Sequence, residues 1–223
     1  MKKNIIFQAL FKFVLGVLIV GLLIFLPAGS FLYWNGLLLM GILFIPMLVA
    51  GVFLIQYNPE LLRSRLDAKE SAREQDLVVK FSALMFLIGF VVAGLGHRFR
   101  WYSLPKSVVV FGAILFMISY LLYAEVLREN SYLSRTIRVQ EGQKVVDTGL
   151  YGLVRHPMYS ATLLMFLSMP LVLGSIYSFF IFLLYPFLII KRLIHEEMLL
   201  ERELDGYAEY KKKVRYRLIP FVW

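Results

Sequence analysis

The stretch FVLGVLIVGLLIFLPAGSFLYWNGLLLMGILFIPMLVAGVFLIQYNP, residues 13–59, runs for 47 residues without one charged side chain. About 20 helical residues cross the ~30 Å hydrocarbon core of a bilayer, so this run is too long for one crossing and suits two. Pro27-Ala28-Gly29-Ser30 supplies the turn signal inside it. The pattern predicts helices over residues 5–26 and 31–55, with Lys12 snorkelling to the interface and Pro46 kinking the second. Lys2 and Lys3 ahead of an apolar stretch also have the outline of a secretory signal. The length of that stretch, with no small-residue cleavage pattern after it, favours a membrane helix.

Composition agrees. Of 223 residues, 60% are hydrophobic and 17% charged, and mean hydropathy is +0.72, which excludes an ordinary soluble domain. Two further spans are predicted at residues 78–96 and 107–124. The last apolar run, residues 158–190, would reach about 50 Å as one helix, too long for one span and short for two. Gly174-Ser175 divides it, and basic residues close both ends (Arg155; Lys191 and Arg192), so it reads as a helical hairpin. The expected fold is therefore all-α and multi-pass: four transmembrane helices, a C-terminal transmembrane hairpin, a cofactor-binding loop and a C-terminal helix. A division follows at 1–126, the four-helix region, and 127–223, the connector, hairpin and tail. Residues 58–77 read as a short interfacial helix.

The 24 Lys and Arg against 15 Asp and Glu give a net charge of +9. Nucleic acid is not the partner this implies, because basic residues crowd the cytoplasmic loops of membrane proteins. With the N-terminus inside, only Arg98, Arg100 and Lys106 fall outside, and both termini are expected in the cytoplasm. There is no cysteine, so no disulfide and no thiolate chemistry. His97, His156 and His195 lack metal-ligand spacing, and no metal is expected. Tyr33, Trp34, Trp101 and Tyr102 read as an interfacial belt, and Tyr207, Tyr210 and Lys211 to Lys213 as a basic tail hugging the membrane. Nothing in the sequence sets the oligomeric state.

The polar chemistry gathers in two clusters. In the first, VQEGQKVVDTGLYGLVRHPMY (residues 139–159), Arg155-His156-Pro157 abuts an apolar helix. A helix starting at Pro157 offers free N–H groups and a positive dipole end to an anion. Arg155 adds a bidentate fork and His156 a group titrating near neutrality. In the second, Lys191-Arg192-Leu193-Ile194-His195-Glu196-Glu197, Arg192 and Glu196 share a helix face. Facing each other at the membrane surface, the clusters predict a polar pocket roofed by helices, suited to one polar and one lipidic reactant. The residues alone do not name the reaction.

Glu129-Asn130-Ser131-Tyr132-Leu133-Ser134, Val145-Val146-Asp147-Thr148-Gly149-Leu150-Tyr151, Arg155-His156-Pro157-Met158-Tyr159, the Glu196-Glu197 pair, Gly206-Tyr207-Ala208-Glu209-Tyr210 and Arg217-Leu218-Ile219-Pro220 together resemble the isoprenylcysteine carboxyl methyltransferase family, over about residues 125–223. The resemblance implies an integral membrane enzyme that methylates with S-adenosylmethionine. It implies cofactor contacts from Gln140, Gln143, Lys144, Val145, Val146, Tyr151, His156, Pro157, Met158, Tyr159 and Glu196, with Glu197 as the interchangeable neighbour. Arg192 matches the position that holds the acidic end of the methyl acceptor, and Arg155 is the other cation able to do so. The acceptor would be lipophilic, entering from membrane lipid: a prenylated cysteine carboxylate, a phospholipid amine or a small thiol. Membrane sterol reductases that use NADPH carry a similar R-H-P element, with Asn in the place of Met158.

Overall fold

The computed structural model describes residues 2–66, 73–133 and 139–223. Among these, the regular elements are all helices, joined by loops, with one isolated bridge between Ser103 and Ser175. The helices are α1 (Lys2–Ala28), α2 (Trp34–Tyr57), α3 (Pro59–Leu66), α4 (Arg73–Arg98), α5 (Lys106–Glu129), α6 (Pro157–Val172), α7 (Ile176–Phe182), α8 (Tyr185–Glu203) and α9 (Tyr207–Lys213), with a 3-10 turn at Gly149–Gly152. Five stretches are long and apolar enough to cross a membrane: α1, α2, α4, α5 and Ile176–Glu203. Outward-facing Phe11, Leu18, Leu22, Val49 and Phe53 are all exposed, a band of apolar surface that only lipid suits.

Helices α1, α4 and α5 overrun their expected ends by a few residues, whereas α2 starts late, at Trp34, and overruns only its far end. Pro27 lies inside the last turn of α1, and the break falls at Gly29, whose φ is +64°. Pro46 sits within a continuous α2. The interfacial helix expected at 58–77 is observed as α3, while residues 73–77 open α4; residues 67–72 lie outside the described part. Lys12 does not simply reach for the interface but donates to the Leu66 carbonyl at the end of α3.

The hairpin is short and divided where expected, but its first arm is capped from within the bundle and its second arm is broken. Its tip is at Gly174, with φ +68°, as the sequence indicates. Its first arm, α6, has only 16 residues, about 24 Å at 1.5 Å per residue, and falls short of a full crossing. Its last carbonyls therefore end inside the bundle and need donors. Asn35 Nδ2 donates to Val172 O at 2.9 Å and the Tyr33 hydroxyl to Leu173 O. Tyr33 is thus not a belt residue: it is buried, stacked on His97. Trp34, Trp101 and Tyr102 are exposed, as a belt requires. The second arm is α7 and α8 in series, and α8 runs on to Glu203, so Lys191, Arg192, Glu196 and Glu197 stand on one helix, as the spacing of Arg192 and Glu196 indicates.

Close approach makes the bundle possible. A Cβ on Gly94 would lie 2.5 Å from Ile24 O, and one on Gly112 2.7 Å from Leu171 Cβ. Small residues at such crossings let helix backbones meet where no hydrophobic force separates helix from lipid. One core cluster joins Ile24 and Leu39 to Met85, Phe90, Phe116, Tyr159, Phe182, Tyr185 and Leu193. It packs α6 and α8 against the first four long helices and fixes the end of the bundle where the polar clusters meet.

Candidate functional site

The connector reaches α6 through a tight turn. Gly149 has φ +51°, and a Cβ there would fall 1.3 Å from Glu129 Oε1. The space is taken because the Glu129 carboxylate accepts the Leu150 N–H at 3.0 Å, tying the turn to the end of α5. Replacing Gly149 with Ala is expected to cost roughly 2–3 kcal/mol, from a left-handed backbone and a displaced carboxylate together. The measurement is the melting temperature of the purified protein in detergent; a variant as stable as wild type would show that the turn is not held this way.

After the turn, the chain pairs with its own C-terminal tail. The Arg155 and His156 N–H groups donate to Tyr216 O and Arg217 O at 2.9 and 3.0 Å. Arg155 is buried, with Nε donating to Glu197 Oε1 at 2.6 Å and Nη1 to the Val214 and Arg215 carbonyls, both at 2.8 Å. Glu197 is buried as well, and takes His156 Nε2 at 3.3 Å and Arg217 Nε at 2.9 Å. One carboxylate therefore gathers three cationic or potentially cationic side chains from the connector and the tail.

Glu196, one residue earlier and about 100° round the helix, faces the other way. It accepts the Tyr159 hydroxyl, and Arg192 Nε donates to that same oxygen at 3.2 Å. The free N–H groups expected at the start of α6 are fewer than the sequence indicates. Pro157 has none, and the Tyr159 N–H is taken by His156 O at 3.0 Å. Among the described residues, the Met158 N–H is the first-turn amide left without a backbone acceptor.

These residues wall a cleft of about 830 Å³, open mouth included. Of the sequence-predicted residues, Gln143, Lys144, Val145, Val146, Tyr151, Arg155, His156, Met158, Tyr159, Arg192 and Glu196 line it. Gln140, Pro157 and Glu197 do not. Gln140 instead shapes the loop, its N–H donating to Gln143 Oε1 at 2.9 Å and its side chain to Tyr132 O. Asn130, Tyr132, Leu199, Leu200, Leu204, Tyr207 and Tyr210 also line the cleft, with no site role in the sequence reading. Tyr207 and Tyr210 are buried and not a surface tail, because α9 folds back and the Tyr210 hydroxyl donates to Tyr151 O at 2.7 Å. Burial raises the Tyr151, Tyr207 and Tyr210 hydroxyls well above the usual phenol range, so all three stay neutral.

A second cavity, of about 1000 Å³ by the same measure, lies between α4, α6 and α8. Val78, Val79, Ser82, Phe86, Phe166, Tyr185 and Ile189 make it largely apolar, and it shares Met158, Tyr159 and Arg192 with the first. Its described lining includes two guanidinium groups, Arg65 and Arg192, and no carboxylate. Arg65 also lies over the Tyr123 ring, 5.4 Å from its centre.

Residues 107–205 match the phospholipid methyltransferase family. The matched stretch runs from α5 to just past α8, and takes in the R-H-P element, Arg192 and the Glu pair. A stretch of the chain is also similar to the Delta(14)-sterol reductase of Mus musculus, 34% identical over 91 residues. That covers 40% of this chain and 22% of the reductase, so the chain spans under a quarter of that relative. The chain is thus a membrane protein, all-helical among the described residues, with a stretch similar to the phospholipid methyltransferases.

Proposed function

We propose that this protein is an S-adenosylmethionine-dependent methyltransferase whose acceptor is a lipophilic molecule with an anionic head, in the manner of an isoprenylcysteine carboxylate. The observation that carries the reading is the shared wall: a polar cleft and an apolar cavity within the helical bundle meet at Met158, Tyr159 and Arg192. A reaction between a water-soluble donor and a membrane-borne acceptor needs that arrangement.

The donor set fits the cofactor. Glu196 suits its ammonium or sugar hydroxyls, the Met158 N–H and the α6 dipole suit its carboxylate, and the apolar Val145, Leu199 and Leu200 suit its base. When bound, it supplies a methyl group on a positively charged sulfur. An ionised carboxylate takes that methyl without losing a proton, so the chain needs no general base. Its tasks are alignment and exclusion of water. Arg192, held by the Tyr159 hydroxyl, anchors the anionic head at the junction, while Phe86, Phe166 and Ile189 take the apolar tail. The site end of the bundle, with both termini, would face the cytoplasm.

Calorimetric titration of detergent-purified protein with S-adenosylmethionine and S-adenosylhomocysteine tests the reading. Both are expected to bind, and Glu196→Gln to weaken binding roughly tenfold to 100-fold, the value of a hydrogen bond to a charged group. The similarity to a sterol reductase gives a second reading, a reductase using NADPH. NADPH titrated in parallel separates the two: its binding in place of the adenosyl compounds overturns the methyltransferase.

A further inference from the structure

Five tyrosines line the polar cleft, and the phenol oxygens of four are engaged within the protein. Asn130 Nδ2 donates to the Tyr151 hydroxyl at 2.9 Å, Tyr132 donates to Gly142 O at 3.1 Å, Tyr159 to Glu196 and Tyr210 to Tyr151 O. Tyr207 is the exception. Its residue is 3% exposed, and among the described residues its hydroxyl is the one buried side-chain polar atom without a hydrogen-bond partner. Buried polar groups in folded proteins are almost always paired, and one that is not points to a missing partner.

The surroundings indicate what that partner is. Along α8, the cleft wall changes from charged to apolar: Arg192 and Glu196 give way to Leu199 and Leu200, followed by Leu204 and then Tyr207. Val139 and Val145 complete an apolar patch around the Tyr207 ring. A flat heteroaromatic base with polar edges suits such a wall, whereas the charged amino-acid end of a ligand suits Arg192 and Glu196.

We propose that the Tyr207 hydroxyl is a ligand-binding group of this cleft and hydrogen-bonds the nucleoside end of the cofactor. The assignment rests on the methyltransferase reading above, and extends the site onto α9, beyond the stretch that matches the family. The hydroxyl loses nothing inside the fold when removed, and is missed only by the ligand.

That asymmetry gives the test two independent readouts on Tyr207→Phe. Without added ligand, its melting temperature is expected to equal or exceed that of wild type, because no internal hydrogen bond is broken. Its affinity for S-adenosylhomocysteine is expected to fall about fivefold to 20-fold by calorimetry. Tyr210→Phe is the control and is expected to melt lower, since that hydroxyl serves Tyr151 O. A lower melting temperature for Tyr207→Phe would place its partner inside the protein, on a buried water, and overturn the assignment. Unchanged affinity overturns it too, leaving the methyltransferase reading intact. A wild-type protein that binds no S-adenosylhomocysteine overturns that reading, and this assignment with it.

Discussion

Glu197→Gln is expected to destabilise the protein by about 3–5 kcal/mol, while Glu196→Gln costs about 1 kcal/mol or less. The Glu197 side chain is 4% exposed and that of Arg155, its partner, 5%. Removing one member of a buried ion pair leaves the other charge uncompensated in a medium that solvates it poorly. Glutamine has the same shape, but its amide nitrogen would turn a donor towards Arg155, His156 or Arg217, which are donors already. The loss would spread along the chain, because Arg155 also fixes the Val214 and Arg215 carbonyls, and Arg217 lies over the Trp223 ring at 4.9 Å. The tail that backs the cleft would come away from the start of α6. Glu196 accepts from Tyr159 at the edge of the cleft, and its loss should appear in ligand affinity instead. Melting temperatures in detergent, set beside S-adenosylhomocysteine affinities, separate the two roles. Equal destabilisation by both variants would show that Glu197 is not the hub.

The sequence carried the long helices because a bilayer imposes a length and forbids charge, and both conditions are local. It carried the turn at Gly174 and the start of α6 at Pro157 because Gly and Pro are themselves local signals. It carried the shortness of α6 with them, but not what satisfies its last carbonyls, because Asn35 and Tyr33 lie 137 and 140 residues away in the chain. Arg155 was legible as a charge but not as a buried one, because its partner lies 42 residues away. Glu196 and Glu197 are adjacent in sequence and indistinguishable there; only the packing of α8 against the tail assigns one inward and the other to the cleft. The three lysines after Tyr210 made α9 look like a surface tail, although its aromatic face closes the cleft. The polar cleft was thus foreseen in most of its residues. The adjoining apolar cavity was anticipated only as sideways access from the bilayer, since Val78, Ser82, Phe86, Phe166 and Ile189 carry no pattern that separates a cavity wall from a core.

Ser82→Phe is expected to reduce methyl transfer to a lipophilic acceptor by about 100-fold or more, with S-adenosylhomocysteine affinity within about twofold of wild type. Ser82 lines the apolar cavity and not the polar cleft. Among the described residues its hydroxyl bonds only to Val78 O in its own helix, at 2.8 Å, so replacing it frees no partner elsewhere among them. A phenyl ring there fills space between α4 and the faces of α6 and α8 that would otherwise hold the acceptor's apolar tail. The displaced tail returns to lipid or detergent at little transfer cost, so the expected loss comes from orientation. A shifted tail carries its head away from Arg192, and misplacing the reacting atoms by about 1 Å costs about 100-fold. Turnover and cofactor binding are measured on the same preparation. Full activity in Ser82→Phe would move the acceptor out of this cavity, while a parallel loss of cofactor binding would mean that the two cavities are not separate sites.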